Sequence, residues 1–217
     1  MDKATKDGEA RTAQVAGIVL AGGQSSRMGR DKALLQLGGL RLLVRTARLI
    51  QSAVGGPATV VGGGAAYRSL GLRVLEDDWP GAGPLGAIAT TLRVSEAPWC
   101  LVVACDLPYL TKEWLDYLIA RALASEADAV VPISSGGAEP LCAAYHQKCA
   151  PVIRAALEAG TRKVTDGLAS LLLETISPME CKPFDRDGLL FKNMNSPADY
   201  QEAQAKLDRR APKSSRT

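Results

Sequence analysis

Short apolar runs, each cut off by Gly or Pro, alternate along the chain with longer stretches of mixed polarity. Val15–Leu20 (V-A-G-I-V-L) is unbroken and stops at Gly22-Gly23, the pattern of a strand buried on both faces. Leu42–Val54 instead sets Leu42, Val44, Leu49 and Ile50 among Arg41, Arg45, Arg48 and Gln51, a helical pattern ended by Gly55-Gly56-Pro57. Ala58–Val61 and Leu72–Leu75 read as the next strands, Pro84–Val94 as helix, and Trp99–Ala104 as a fourth strand. Thr111 caps a helix reaching about Ala124, with Glu113 in its first turn. Strands at Ala129–Ile133 and Leu141–Tyr145 flank a Ser- and Gly-rich turn over Ser134–Ala138. Helices near Ala150–Ala159 and Val164–Leu173, a short strand near Thr175–Ile176 and a closing helix from Pro197, capped by Ser196, complete the pattern. Strands alternating with helices at this spacing predict an α/β domain with a largely parallel sheet and right-handed crossovers.

The 217 residues suit one such domain. Residues 1–14 lack periodicity and read as a disordered lead-in, 15–205 as the domain and 206–217 as a basic tail. Hydrophobic residues at 47% and charged residues at 23% exclude wholesale disorder. The longest apolar run, Trp99–Cys105, is far too short to span a bilayer, and the polar start M-D-K-A-T-K-D-G-E-A carries no export signal, so the expected location is the cytoplasm without membrane contact. Of the net charge of +3, the tail supplies +4, so the remaining residues stand at −1. With only ten aromatic residues and no basic face outside the tail, nucleic acid is not the expected partner. Five cysteines with no C-x-x-C pair, and Cys142, His146 and Cys149 at no standard zinc spacing, read as buried reduced thiols.

Candidate chemistry concentrates after the first strand, where ligands bind in sheets of this kind. Leu20 to Lys32 (L-A-G-G-Q-S-S-R-M-G-R-D-K) offers Gly22, Gly23 and Gly29 for close backbone approach to phosphate and Arg27 and Lys32 for charge. Gly29 is followed by Arg30-Asp31-Lys32, so a Walker A loop is excluded, and no G-x-G-x-x-G register exists. Asp106, after the fourth strand, is either a turn residue before Pro108 or a Mg²⁺ ligand, since that ion takes one or two carboxylates plus phosphate oxygens. Asn193 and Asn195 alternate and share one face of an extended segment, as phosphate or metal contacts or as turn residues before Pro197. Asp77 could accept the paired N–H donors of guanine or be a solvated turn residue. Gly81–Gly86 opens a helix whose amides could meet a base or phosphate, Gly83 among them, or serves as a hinge.

On these residues the segment from Leu20 to Lys32 resembles the signature L-x-G-G-x-S-x-R-M-G-x-D-K of the nucleotide-diphospho-sugar-transferase-like nucleotidyltransferases. Among them it is most similar to the molybdenum cofactor guanylyltransferases. Downstream matches fall in family order over about residues 15–205: L-x-V-L-E-D (Leu72–Asp77), G-P-L-G (Gly83–Gly86), C-D-L-P (Cys105–Pro108), E-P-L (Glu139–Leu141) and F-x-N-x-N-x-P-x-D (Phe191–Asp199).

The resemblance implies a three-layer Rossmann-like nucleotidyltransferase fold, with a mostly parallel, mixed central sheet and helices on both faces. It implies transfer of GMP from GTP to the terminal phosphate of molybdopterin, with Mg²⁺ and release of pyrophosphate. Cofactor-delivery proteins or molybdoenzymes are the implied partners. Lys32, Arg27 and Asp106 are the implied catalytic residues, and Asp106 the metal ligand. Leu20, Ala21, Gly22, Gly23, Lys32, Asp77, Gly83 and Asp106 are the implied nucleotide site. Arg162 and Lys163, with Asn193 and Asn195, become candidates for the second substrate's phosphate. Gly62-Gly63-Gly64 stands where the family often has Asn, which leaves a base or ribose contact missing or made by backbone. A cytidylyl or sugar-phosphate transferase of the same fold, and a non-catalytic nucleotide-binding adaptor, are the competing expectations.

Overall fold

The structure, a computed structural model, describes residues 13–22 and 31–210. Its strands are β1 (Val15–Leu20), β2 (Gln36–Leu37), β3 (Leu40–Arg41), β4 (Ala58–Val61), β5 (Arg73–Leu75), β6 (Trp99–Ala104), β7 (Ala129–Ser134), β8 (Gly137–Ala138), β9 (Cys142–His146) and β10 (Leu173–Ile176). The helices are α1 (Leu42–Val54), α2 (Ala65–Arg68), α3 (Pro84–Val94), α4 (Lys112–Leu123), α5 (Cys149–Glu158), α6 (Val164–Gly167), α7 (Pro178–Cys181) and α8 (Pro197–Arg210).

The main sheet runs β10-β7-β9-β6-β1-β4-β5, with β8 hanging from β7 as a hairpin. All neighbours along it are parallel except β9, which is antiparallel to both β6 and β7. Register holds the ends of the strands level: Leu20 pairs with Val61 and Ala104, and Val61 with Leu75. Because β9 runs the other way, its start at Cys142 reaches the edge where β6 ends.

Helices cover both faces, so the central strands are apolar throughout. Every residue of β6 is buried. Leu101 and Val103 face the layer of α1 and α4, packing with Leu43, Ile50 and Leu118. Cys100 and Val102 face the layer of α3 and α5, packing with Leu85, Ile88 and Ile153. A smaller cluster of Leu37, Leu42, Tyr109, Met194 and Ala203 ties the β2–β3 hairpin to α8. All five cysteines are buried and free, and burial pushes the Cys105, Cys142 and Cys149 thiols up to about 12, which keeps them protonated and unreactive. No helix among the described residues is long and apolar enough to cross a membrane.

Local chemistry explains the boundaries. The Gly55 C-cap of α1 is left-handed and donates its N–H to Gln51. Thr111 accepts from the Trp114 N–H and starts α4. The expected helix over Val164–Leu173 is corrected: α6 stops at Gly167, and Leu173 opens β10. Asp128 draws that segment to the sheet, donating its N–H to the Leu172 carbonyl (2.8 Å) and accepting the Leu172 N–H on Oδ2 (2.9 Å). The expected tail boundary at Lys206 also shifts, since α8 continues to Arg210 through good helix formers. The lead-in through residue 12 and the tail from 211 lie outside the described residues.

Trp114 is fully buried, meets Phe184 and Phe191 edge-on, and donates Nε1–H to the Cys142 sulfur at 3.4 Å. Trp114→Ala is expected to cost about 3–5 kcal/mol in a urea unfolding experiment; a loss below about 1 kcal/mol would show that this cluster does not anchor α4.

Candidate active site

The level strand ends open onto a cleft of about 1200 Å³. Leu20, Ala21, Gly22, Lys32, Asp77, Gly83 and Asp106, all expected from the sequence, line it. Gly23, Arg27 and Gly29 lie outside the described residues.

Lys32 and Asp106 meet at the centre. The Lys32 Nζ donates to Asp106 Oδ2 at 3.1 Å, to Asn195 Oδ1 at 2.9 Å and to the Met194 carbonyl at 3.3 Å. The two charged side chains are only 20% and 21% exposed. Their positions are set by backbone on every side. The Cys105 N–H donates to the Leu20 carbonyl (3.0 Å), and the Cys105 carbonyl accepts the buried Thr46 hydroxyl (3.4 Å), which pins the end of β6 to β1 and α1. The Met194 N–H donates to the Asp106 carbonyl at 2.8 Å, while its side chain is buried against Tyr109 and Leu42. Asp199 Oδ2 accepts the N–H groups of Asn195 (3.0 Å) and Ser196 (2.8 Å), and the Ser196 hydroxyl accepts from the Asp199 N–H. The Ser196 hydroxyl also donates to Asp199 Oδ2 (2.8 Å), and this bond, with the backbone N–H groups of Asn195 and Ser196, holds the Asp199 carboxyl below its usual range. Asn195 thus reaches the centre; Asn193 is exposed on the same stretch.

Lys32 opens a single 3-10 turn, Lys32–Leu34, capped by Asp31. Asp31 Oδ1 accepts the Ala33 N–H (3.0 Å), and Oδ2 accepts the hydroxyl of Tyr67 (2.7 Å). Burial first, and the bond to Asp31 second, push the Tyr67 phenol well above its ordinary range, so it stays a donor. The glycines after β4 make room for this contact. Gly62 (φ +97°) would put a Cβ 2.3 Å from the Ala21 carbonyl oxygen, and Gly63 (φ +73°) would put one 2.0 Å from the Tyr67 ring. Gly62 and Gly63 thus stand where this chain has no room for a side chain. Tyr67 carries no motif, and only its place after a glycine run could have drawn attention to it.

Asp77 lines the cleft with its Oδ1 engaged by the Trp79 N–H (3.0 Å) and the Thr90 hydroxyl (2.8 Å), so its turn role is real and Oδ2 remains for a ligand. Gly83 (φ +71°) is the N-cap of α3 and lies on the cleft wall. Arg162 and Lys163 are not brought to the cleft. The Arg162 guanidinium donates to the Leu157 and Thr161 carbonyls at the end of α5, and Lys163 pairs with Asp166 at 3.5 Å. The single His, His146, ends β9 beside Trp99, at the opposite edge of the sheet from Asp106.

As metal donors, Asp106 Oδ2 and Asn195 Oδ1 converge on one ammonium and are both hard oxygens. Among the described residues no three His, Cys, Asp or Glu side chains cluster. One carboxylate and one amide oxygen suit a cation that arrives with phosphate oxygens rather than one held in an all-protein cage.

Residues 17–173 match the sequence model of the MobA-like NTP transferase domain. A probable molybdenum cofactor guanylyltransferase of Carboxydothermus hydrogenoformans is 36% identical over 189 residues, 85% of this chain and 92% of its own. Another of that name, from Pelotomaculum thermopropionicum, is 32% identical over 192 residues, 88% of this chain and 92% of its own. In three dimensions the chain is similar to molybdopterin-guanine dinucleotide biosynthesis protein A from Archaeoglobus fulgidus. The TM-score is 0.77 at 24% identity, covering 89% of this chain and 99% of that one, a likeness of fold.

Gly63→Ala is expected to cost about 2 kcal/mol or more, from positive φ and collision with Tyr67. Gly64→Ala, whose Cβ meets nothing within 4 Å, is expected to stay within about 1 kcal/mol. Equal thermal midpoints for the two variants would contradict the packing described for Tyr67.

Proposed function

The chain belongs to the MobA-like NTP transferase family, and on that premise we propose that it transfers GMP from GTP to the terminal phosphate of molybdopterin, releasing pyrophosphate. The observation that carries this reading is the convergence of Asp106 and Asn195 on the Lys32 ammonium beside the turn from β1, at a cleft of about 1200 Å³, large enough for a nucleotide.

The acceptor needs no dedicated base. A phosphate monoester has a second pKa of about 6 and is mostly dianionic at neutral pH, so its oxygen can attack the α-phosphorus directly. This accords with the absence of imidazole from the centre, His146 being at the far edge. What remains for the protein is alignment and charge neutralisation. Lys32 places its ammonium where negative charge builds on the departing pyrophosphate, and the backbone of Leu20–Gly22 lies against the phosphates. Arg27 and Gly23 are assigned to the same group by the signature they belong to. Asp106, with the Asn195 amide oxygen, would hold a divalent cation, for which we propose Mg²⁺; when bound it supplies charge neutralisation on phosphate oxygens. Asp77 Oδ2 is assigned to the N1–H and amino donors of guanine, with Thr90 fixing the carboxylate. The amides after Gly83 at the start of α3 face the same ligand.

The acceptor's phosphate is assigned to Asn193 and Asn195 rather than to Arg162 and Lys163, which do not line the cleft. A reducing cytoplasm suits five buried thiols, and cofactor-delivery proteins or molybdoenzymes are the proposed recipients of the product.

Nucleotide-dependent thermal stabilisation with Mg²⁺ tests the substrate choice. At about 100 times its Kd a ligand adds about 2.7 kcal/mol, so GTP alone is expected to raise the midpoint. A shift with CTP or UTP in its place keeps the fold and replaces the donor, and no shift with any nucleotide favours an adaptor. Lys32→Ala and Asp106→Ala are each expected to lower kcat by about 100-fold or more. Their unfolding free energies should change by only about 1 kcal/mol, because a part-exposed ion pair contributes little to folding. Retained cation-dependent turnover in Asp106→Ala would remove its metal role.

A further inference from the structure

The carboxyl edge of the sheet has two sides. The nucleotide cleft spreads from Asp106 over β1, β4 and β5. On the other side, past β9, a second cavity of about 390 Å³ lies between the β7–β8 hairpin, α7 and the segment before Asn193. Ser134, Gly136, Glu139 and Phe191 contribute to its walls, and none has a part in handling the nucleotide.

The two spaces adjoin the same centre. β7 is two strands from β6, about 10 Å across the sheet at about 4.8 Å per strand, which a fused heterocycle with a phosphate arm can bridge. Leu141 lines the cleft, while Glu139, two residues earlier, lines the second cavity. Phe191 lines that cavity, while Asn195, four residues on, touches Lys32. The Lys32–Asp106 pair therefore stands between two spaces, as a reaction joining two substrates requires.

Glu139 is the unusual group. Its backbone is fixed at both ends: the N–H donates to the Pro132 carbonyl (2.8 Å), and the carbonyl accepts from the Cys142 N–H (3.0 Å). Its carboxylate is half-buried, accepts the Ser134 hydroxyl at 2.6 Å and has no salt-bridge partner among the described residues. Burial pushes its pKa up, against the lowering effect of Ser134. Lys182 and Lys192 also line the cavity, Lys192 being paired with Glu202, and neither makes a salt bridge to Glu139; the half-buried carboxylate thus keeps acceptor capacity that a ligand with two adjacent N–H groups would use. Phe191, backed edge-on by Trp114 at 5.3 Å, gives the cavity a firm apolar wall.

We propose that this cavity receives the ring system of the acceptor, with Glu139 accepting the ring N–H and exocyclic amino group of a pterin and the phosphate arm running along residues 191–195 to Asn195. The assignment rests on the pterin guanylyltransferase reading, and goes beyond it in naming the pocket and the residue that selects the ring.

Fluorescence titration with 6-hydroxymethylpterin monophosphate tests it, in Mg²⁺ with and without saturating GTP. The control is the corresponding lumazine phosphate, which bears an oxo group in place of the amino group. The wild-type protein should bind the pterin at least tenfold more tightly than the lumazine, and GTP should not displace it. Glu139→Gln should weaken pterin binding at least tenfold and erase the preference. Gly136→Phe should block pterin binding by filling the cavity while leaving Glu139 in place; a Cβ at Gly136 meets only Ser134 Oγ, at 3.4 Å. Both variants should keep the wild-type thermal shift with GTP, which reports an intact fold and nucleotide site. No pterin binding to the wild type, equal binding of the two ring systems, displacement by GTP, or indifference to both substitutions overturns the assignment of the cavity. The guanylyltransferase reading fails by a separate sign, the absence of any GTP-dependent shift in the wild-type protein.

Discussion

A carboxylate placed at the end of a fully buried strand is the constraint around which this molecule is arranged. β6 has no polar side chain and no exposed residue, so its path is fixed by packing on both faces. Asp106 follows one residue later: Leu20 and Thr46 hold the main chain of the intervening Cys105, and the Met194 N–H holds the Asp106 carbonyl, before the Asp106 side chain meets Lys32. The net contribution of such an ion pair to folding is small, because removing both charges from water offsets most of their attraction. The scaffolding around it is far more extensive than that, with Asp31, Tyr67, Asp199 and the Gly62–Gly63 turn all serving to place a few polar atoms. Such investment makes sense for preorganised charge, not for stability.

The reversal of β9 gives the site its second side. In an all-parallel sheet, the strand beside β6 would end at the same edge with its own crossover loop. Running antiparallel, β9 begins there instead, so Leu141, just before it, accepts the Ala104 N–H (2.7 Å) and lines the cleft with Asp106. One edge of the sheet thereby offers two unlike surfaces: glycine-rich turns and helix starts on the β1 side, and a hairpin with a half-buried carboxylate on the β7 side.

Much of this was legible from the sequence where elements are deeply buried or sharply punctuated. Val15–Leu20, Leu42–Val54, Ala58–Val61, Pro84–Val94 and Trp99–Ala104 have the bounds expected of them, because Gly, Pro and the polarity period coincide there. The β2–β3 hairpin is only two residues a side, too short for alternation to register. Leu168–Ile176 is apolar enough for helix or strand, and Asp128, far away in sequence, decides the matter by recruiting Leu172 to the sheet. The site divides in the same way. Lys32, Asp106 and Asn195 announce themselves through spacing, whereas the Met194 backbone and Tyr67 act through contacts across 162 and 36 residues that no local pattern encodes. Arg162 and Lys163 do not line the cleft, and their side chains turn to the Leu157 and Thr161 carbonyls and to Asp166, contacts the basic pair in the sequence did not foretell.

The central claim is that the reacting atom is the α-phosphorus and that Lys32 attends the leaving pyrophosphate. The most direct measurement follows GTP labelled at the α-phosphorus through a single turnover with molybdopterin and Mg²⁺, with both phosphate products quantified. The account predicts that label moves into the pterin product and that one pyrophosphate appears for each GTP consumed. Release of orthophosphate, with the label left in GDP, would place the chemistry at the γ-phosphorus and contradict the account.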